Sequence, residues 1–288
     1  MEETRITQST KRIAVVTGAS KGIGLEICKQ LASNGVIVIL TARDENKGIE
    51  VVQDLKASGL SNIVFHHLDV TNETSFASLT EFIKTKFKKI DILVNNAGVA
   101  GVVVDPEDQS SSKIFKQTFE GAEACLKTNY YGVKLLTEEL VPLLQLSDSP
   151  KIVNVSSVAG QLQIVSNEKA KKTLSDTNGL TIEKVDEVVK WFLDDWREDS
   201  LEAKGWPINY SAYVVSKAAL NGYTRVMAKK YPKIAINAVC PGSVKTDITY
   251  NKAIYTVEQG AQGPVMLALM PHGAPSGLFY SKMEVSSF

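Results

Sequence analysis

The chain has 288 residues, 44% hydrophobic and 22% charged, the balance of an ordinary globular protein long enough to bury a core without disulfides or metals. Its 32 basic and 32 acidic side chains cancel, which removes the electrostatic reason to expect nucleic acid or an anionic membrane as partner. Cys28, Cys125 and Cys240 are scattered and odd in number, so no disulfide framework and no metal site is expected, and a reducing compartment is. The opening "MEETRITQSTKR" is polar and lacks a signal peptide's apolar core, and no apolar run is long enough to span a bilayer. The expected location is cytoplasmic.

"RIAVVT" predicts a first strand, and "GLEICKQLASNG" a helix stopped by Gly35. "VIVILTA", "NIVFHHLDV" and "KIDILVNNAG" predict strands two to four, separated by the helical patterns "KGIEVVQDLKASG" and "ETSFASLTEFIKTKF". A long helix over 121–145 is expected to stop between Pro142 and Pro150, followed by strand five in "KIVNVSS". "SAYVVSKAALNGYTRVMAKKYP" predicts a helix, "IAINAVCPG" strand six and "SGLFY" a seventh. Val/Ile/Leu-rich strands alternating with helices imply a parallel sheet covered on both faces. The expected architecture is a single doubly wound α/β Rossmann domain over 1–288, with about seven strands.

Three stretches stand outside this alternation. Residues 101–118 predict a loop with turn chemistry at Asp105-Pro106 and a serine cluster. Residues 158–212 form a helical insert. Within it "TIEKVDEVVKWFLDDWRED" predicts an amphipathic helix capped by Thr181, with an apolar face that must cover something. Residues 244–264 are expected to form a loop over the substrate. Trp191 and Trp196 are expected to pack their helix, and Trp206 is open between packing and a pocket wall. His66 and His67 alternate faces of a strand and carry no metal-ligand spacing.

The first strand runs into "TGASKGIG". A glycine turn between strand and helix aims the unpaired N–H groups and positive end of the helix at a cleft, which suits a pyrophosphate. Gly18, Ser20, Lys21, Gly22, Ile23 and Gly24 are the candidate contacts, although glycine could be required here for the turn alone. About 20 residues on, an NAD site places an acid on the ribose 2′-hydroxyl. Here strand two ends "LTARD", with Ala42 at that place and Arg43 after it. Arg43 and Lys21 together suit a 2′-phosphate, so NADPH is expected over NADH. Asp44 either accepts from a ribose or caps the next helix.

"TGASKGIG", "NNAG" (95–98) and "YVVSK" (213–217) together resemble the short-chain dehydrogenase/reductase family, over nearly the whole chain. Phrases such as "KGIGLEICKQLASNG" and "VCPGSVKTD" resemble its plant branch of monomeric carbonyl reductases, the salutaridine reductase and neomenthol dehydrogenase type. The resemblance implies a catalytic set of Asn129, Ser157, Tyr213 and Lys217. It implies that Asp69 and Val70 flank the adenine and that Asn95, Ala97 and Gly98 line the ribose. Pro241, Gly242, Val244 and Thr246 would hold the nicotinamide end, beside Tyr213 and Lys217. It also implies reduction of a ketone or aldehyde, of a hydrophobic cyclic monoterpenoid or alkaloid type, with an enone C=C reductase or a non-catalytic NADPH-binding protein as alternatives. In many relatives exposed helices pair subunits, and the 181–199 helix is expected to cover that surface here and keep the protein monomeric.

The chemistry also follows from the residues. Tyr213 and Lys217 lie four apart on one helix face. An ammonium near a phenol favours the phenolate and is expected to lower the Tyr213 pKa, easing proton transfer. Ser157 can hydrogen-bond the substrate oxygen as negative charge develops there, and both Ser157 and Tyr213 are the expected substrate contacts. Asn129 is expected to anchor a water that links Lys217 to solvent. Singly these residues are ordinary turn and helix residues; jointly, with the glycine turn, they make a site.

Overall fold

The computed structural model describes residues 11–104 and 115–288. Its first half is a strict alternation: β1 (Ile13–Val16), α1 (Gly22–Ser33), β2 (Ile37–Ala42), α2 (Glu45–Ala57), β3 (Ile63–His67), α3 (Glu73–Lys86) and β4 (Ile92–Asn95). Two short strands follow, β5 (Val102–Val104) and β6 (Phe115–Gln117), then α4 (Phe119–Leu126), α5 (Gly132–Leu144) and β7 (Lys151–Val155). The insert carries α6 (Glu168–Ser175) and α7 (Ile182–Arg197). After it come α8 (Ser211–Lys230), β8 (Ala235–Cys240), α9 (Val257–Leu269), β9 (Phe279–Ser281) and β10 (Glu284–Ser286).

The sheet has eight strands in the order β10-β9-β8-β7-β4-β1-β2-β3. All neighbours are parallel except β10, which returns antiparallel to β9. The α/β reading holds, with one strand more than expected. Strand order reverses between β1 and β4, and this opens a crevice at the carboxyl ends of the strands, where such sheets take their ligands. Apolar side chains of α1, α2 and α9 fill the core on one face and those of α3, α4, α5 and α8 the core on the other. Buried strands such as β1 and β4 have no polar face because both sides are covered.

Three expectations change in detail. The 101–118 stretch is not wholly a loop: β5 and β6 pair antiparallel, Val102 opposite Gln117. The turn expected at Asp105-Pro106, and the serine cluster, lie outside the described residues. The helix over 121–145 is broken into α4 and α5 by a π-helical turn at Lys127–Tyr131, while its end at Leu144 falls within the expected stop. Pro142 is tolerated because it lies on the exposed face, where water can satisfy the carbonyl that its missing N–H leaves unpaired. Finally, the 244–264 stretch is loop only to Thr256, which caps α9 in a capping box with Gln259. Among the described residues no helix is long and apolar enough to cross a membrane.

The insert packs as its periodicity requires. Thr181 caps α7, accepting from the Lys184 N–H, and Val185, Val188, Val189 and Phe192 are buried. They lie in the core on the α4/α5/α8 side. The face is also keyed by charge: Asp186 accepts from the buried Tyr130 hydroxyl at 2.7 Å and from Lys134 Nζ at 2.5 Å. Trp206 resolves as packing, edge-on to Phe192 at 5.3 Å with its indole N–H donating to Asp195. His66 packs against Phe82, ring centroids 4.8 Å apart and tilted by 45°.

Candidate active site

The glycine turn is built against the end of β4. Gly18 has φ +62°, and a Cβ there would stand 2.8 Å from the Ala97 Cα. Glycine is therefore needed both for the left-handed backbone and for close approach to the "NNAG" turn. Thr17 holds the two together: its hydroxyl accepts from the backbone N–H of Asn96 at 2.9 Å and of Ala97 at 3.0 Å. Asn96 returns the contact, its Nδ2 donating to the Thr17 carbonyl at 2.9 Å. Neither Thr17 nor Asn96 was distinguished in the sequence from its neighbours. Gly22 and Gly24 fall in the first turn of α1, with Ser20 and Ile23 half-buried beside them. The α1 N-cap residue, Lys21, gives no side-chain cap, and the first turn has no acid. That end of α1 suits an anion.

The adenosine end departs from the sequence reading at Lys21. Its ammonium is paired with Asp247, across the mouth of the crevice, and both side chains are largely exposed. Arg43 is exposed at the end of β2, and no ion pair among the described residues engages it. Asp44 resolves as the cap of α2, accepting from the Lys47 N–H at 3.0 Å. Asp69 commits its carboxylate to the Thr71 N–H at 2.8 Å and the Thr71 hydroxyl at 2.7 Å. Burial raises its pKa, but these bonds and the Arg43 charge outweigh that and hold it below the usual range. Val70 is half-buried beside it.

Asn95 needs correction as a ribose contact. Its side chain is buried inside the sheet, where Nδ2 donates to Asn154 Oδ1 at 2.8 Å and to the Thr137 hydroxyl at 3.1 Å. Asn95 offers the crevice main chain only, whereas Asn96, Ala97 and Gly98 remain half-exposed. On the other side, Pro241 and Gly242 follow β8, Val244 is buried, and Thr246 faces Gly22. The segment after β8 thus closes over the glycine turn.

Ser157, Tyr213 and Lys217 converge. Ser157 follows β7, half-buried, close enough to the Tyr213 hydroxyl to lower its pKa. Lys217 Nζ lies 5.7 Å from the Tyr213 ring centroid and donates to the Val155 carbonyl at 2.9 Å. The loop carrying Ser157 is fastened to α8. Ser156 donates to Asn221 Oδ1 at 2.6 Å, and Asn221 Nδ2 donates to the Gly160 carbonyl at 3.0 Å.

Asn129 sits in the π-helical turn, a form often found at functional sites. Its Oδ1 accepts from the Val99 N–H at 2.8 Å, and its Nδ2 donates to the Val99 carbonyl at 2.9 Å and to Ser216 Oγ at 3.0 Å. The fully buried side chain is thus committed to protein groups. It fixes the 97–99 turn, and Gly98 lies against both Asn129 and Lys217 Nζ.

Burial also reverses one electrostatic expectation. It raises the Tyr213 pKa above the usual phenol range, against the lowering effect of the Ser157 hydrogen bond. It pushes the Lys217 ammonium down to about 8. Desolvation penalises both charged forms and here exceeds the mutual help expected from their spacing.

The short chain dehydrogenase family profile matches residues 12–168 and 200–254, leaving out the stretch that contains most of α6 and all of α7. Short-chain dehydrogenase/reductase 1 of Saponaria officinalis is 54% identical over 100% of both chains. (+)-Neomenthol dehydrogenase of Arabidopsis thaliana is 51% identical over 98% of this chain and 100% of its own. The solved structure of salutaridine reductase from Papaver somniferum has a TM-score of 0.91 at 52% identity, covering 94% of this chain and 99% of that one.

The contact that brings Ser157 to Tyr213 is testable at Gly160. A Cβ there would stand 2.4 Å from the Lys217 carbonyl carbon and 2.6 Å from its oxygen. Gly160→Ala must displace the loop from α8. It is predicted to cost about 1–3 kcal/mol in chemical denaturation, and to lower carbonyl reduction by about tenfold or more, since misplacing reacting groups by an ångström costs up to 10²-fold.

Proposed function

The chain belongs to the short-chain dehydrogenase/reductase family, and from that premise we propose that it is an NADPH-dependent reductase of hydrophobic cyclic ketones, monoterpenoid or alkaloid in type. The observation that carries the reading is the convergence of Ser157, Tyr213 and Lys217, the loop after β7 being seated on α8 with Lys217 Nζ 5.7 Å from the Tyr213 ring centroid and bonded to the Val155 carbonyl.

The residues present fit the cofactor. The uncapped N-terminus of α1 suits the pyrophosphate, and Arg43 beside Ala42 suits a 2′-phosphate where an acid would select the bare ribose. When bound, NADPH supplies the hydride that reduces the carbonyl carbon. Ser157 donates a hydrogen bond to the substrate oxygen, which becomes negative as the carbon is reduced. Tyr213, kept protonated by its raised pKa, gives its proton to that oxygen. Lys217, while charged, stabilises the phenolate left behind. Asn129 acts through Val99 and Ser216, as a positioning residue.

Substrate class is supported by what the pocket loops expose. Val99, Val158, Ile164, Ile208, Ile248 and Ile254 are all exposed, and all belong to loops leaving β4, β7 or β8 or entering α8. Aliphatic side chains gathered at the open end of a sheet suit an apolar substrate. The names of the relatives point to the same chemistry. A cytoplasmic location accords with three buried, unpaired cysteines. A single domain over 1–288 accords with the one sheet of eight strands that runs from β1 to β10. The packed α7, keyed by Asp186 to Tyr130 and Lys134, supports a monomer.

Four outcomes are expected. With a panel of cyclic ketones including menthone, NADPH oxidation is seen in the wild type and falls about 100-fold or more in Tyr213→Phe; undiminished turnover would remove Tyr213 as proton donor. The rate declines as pH rises through about 8, because the required ammonium of Lys217 is present below that value and lost above it; a flat profile from neutral pH to about 9.5 would contradict its role. Arg43→Ala raises the NADPH KM about tenfold with less than about a twofold change for NADH, the scale of one charged hydrogen bond; equal losses would count against the phosphate contact. Sedimentation velocity is expected to give one monomer-sized boundary, and a stable dimer would overturn the assignment of α7.

A further inference from the structure

The helix that carries Tyr213 and Lys217 begins without a cap of its own. Its N-cap residue, Tyr210, has φ +52° and supplies no side-chain cap. The first turn of a helix leaves N–H groups that must find acceptors, and Tyr213 lies in that turn. The acceptor comes from a distant strand. Gln117, the last residue of β6, places its Oε1 2.7 Å from the Ser211 backbone N and 2.8 Å from the Ser211 hydroxyl, accepting from both. Its Nε2 donates to the Ile208 carbonyl at 2.7 Å. One amide therefore caps α8 and ties down the chain that enters it, on both sides of the left-handed Tyr210.

The next residue makes the placement more telling. Thr118 caps α4, its hydroxyl accepting from the Gly121 N–H at 3.1 Å. Two consecutive side chains thus set the starts of two helices. One leads to Asn129 through the π-helical turn, and the other bears Tyr213 and Lys217. Through the β5–β6 pairing, the same hairpin continues from the 97–101 turn on which Asn129 acts.

We propose that Gln117 is a positioning residue for the reaction: it caps α8 from the β5–β6 hairpin and thereby fixes Tyr213 relative to Ser157 and the pocket wall. This rests on the assignment of Tyr213 as proton donor. A carboxylate could still accept both Ser211 bonds, but it could not donate to Ile208.

The test compares Gln117→Met and Gln117→Glu with wild type and Tyr213→Phe in the NADPH-saturated protein. Hydrogen exchange of the peptide spanning 208–216 reads the cap directly. Exchange is expected to rise about tenfold or more in Gln117→Met and to stay within about threefold of wild type in Gln117→Glu. With menthone as probe, kcat is expected to fall about tenfold or more in Gln117→Met, with NADPH affinity unchanged, and to recover to within about threefold in Gln117→Glu. Unchanged exchange and kcat in Gln117→Met would overturn the proposal. A Gln117→Met that loses thermal stability while keeping its kcat would reduce Gln117 to a structural contact, and a Gln117→Glu as impaired as Gln117→Met would remove the cap as the cause. Full activity in Tyr213→Phe, by contrast, would overturn the reading of the site itself.

Discussion

Gly160 has no side chain, and the main chain of Lys217 fills the space that one would occupy. This close approach, with the Ser156–Asn221–Gly160 hydrogen bonds, seats the loop after β7 directly on α8. Much else depends on it. Ser157 can meet Tyr213 only because its loop and the first turns of α8 are held at fixed separation. Lys217 reaches the Val155 carbonyl from the same surface. The outer side of α8 packs against α7, so the catalytic helix is held between the sheet and the insert.

The same burial sets the chemistry. Withdrawing Lys217 almost fully and Tyr213 partly from water makes the phenol a weaker acid and the ammonium a stronger one. In the proposed reaction, a site tuned in this way holds the tyrosine proton until negative charge on a substrate oxygen draws it off. The lysine matters most at that moment, when a phenolate forms beside it in a medium that screens poorly. Proximity of two residues in sequence says that they interact, but the sign of the net effect is decided by how much solvent both have lost.

The sequence was most legible where one physical cause dominates. Apolar β-branched runs gave the long parallel strands, and Thr181 with its helical apolar stripe gave α7. Three-residue strands such as β5, β6 and β10 carry no period long enough to read. The groups that converge on the chemistry were legible because "NVSS" and "YVVSK" keep their residue types in fixed spacing. The partners of Lys21 and Gln117 were not, because Asp247 and Ser211 lie far along the chain and nothing local marks them. Asn95 and Asn96 show the limit most clearly: adjacent and identical, one is buried in the sheet and the other faces the crevice. Only the register at the end of β4 separates them.

The central claim is that this site delivers a proton to a carbonyl oxygen, and not merely that it binds NADPH. A cyclic enone carries both a C=O and a C=C bond and forces the choice. The direct measurement is mass spectrometry and chromatography of the product formed from such an enone with NADPH. The account predicts the allylic alcohol with its C=C bond intact. The saturated ketone as main product would contradict it.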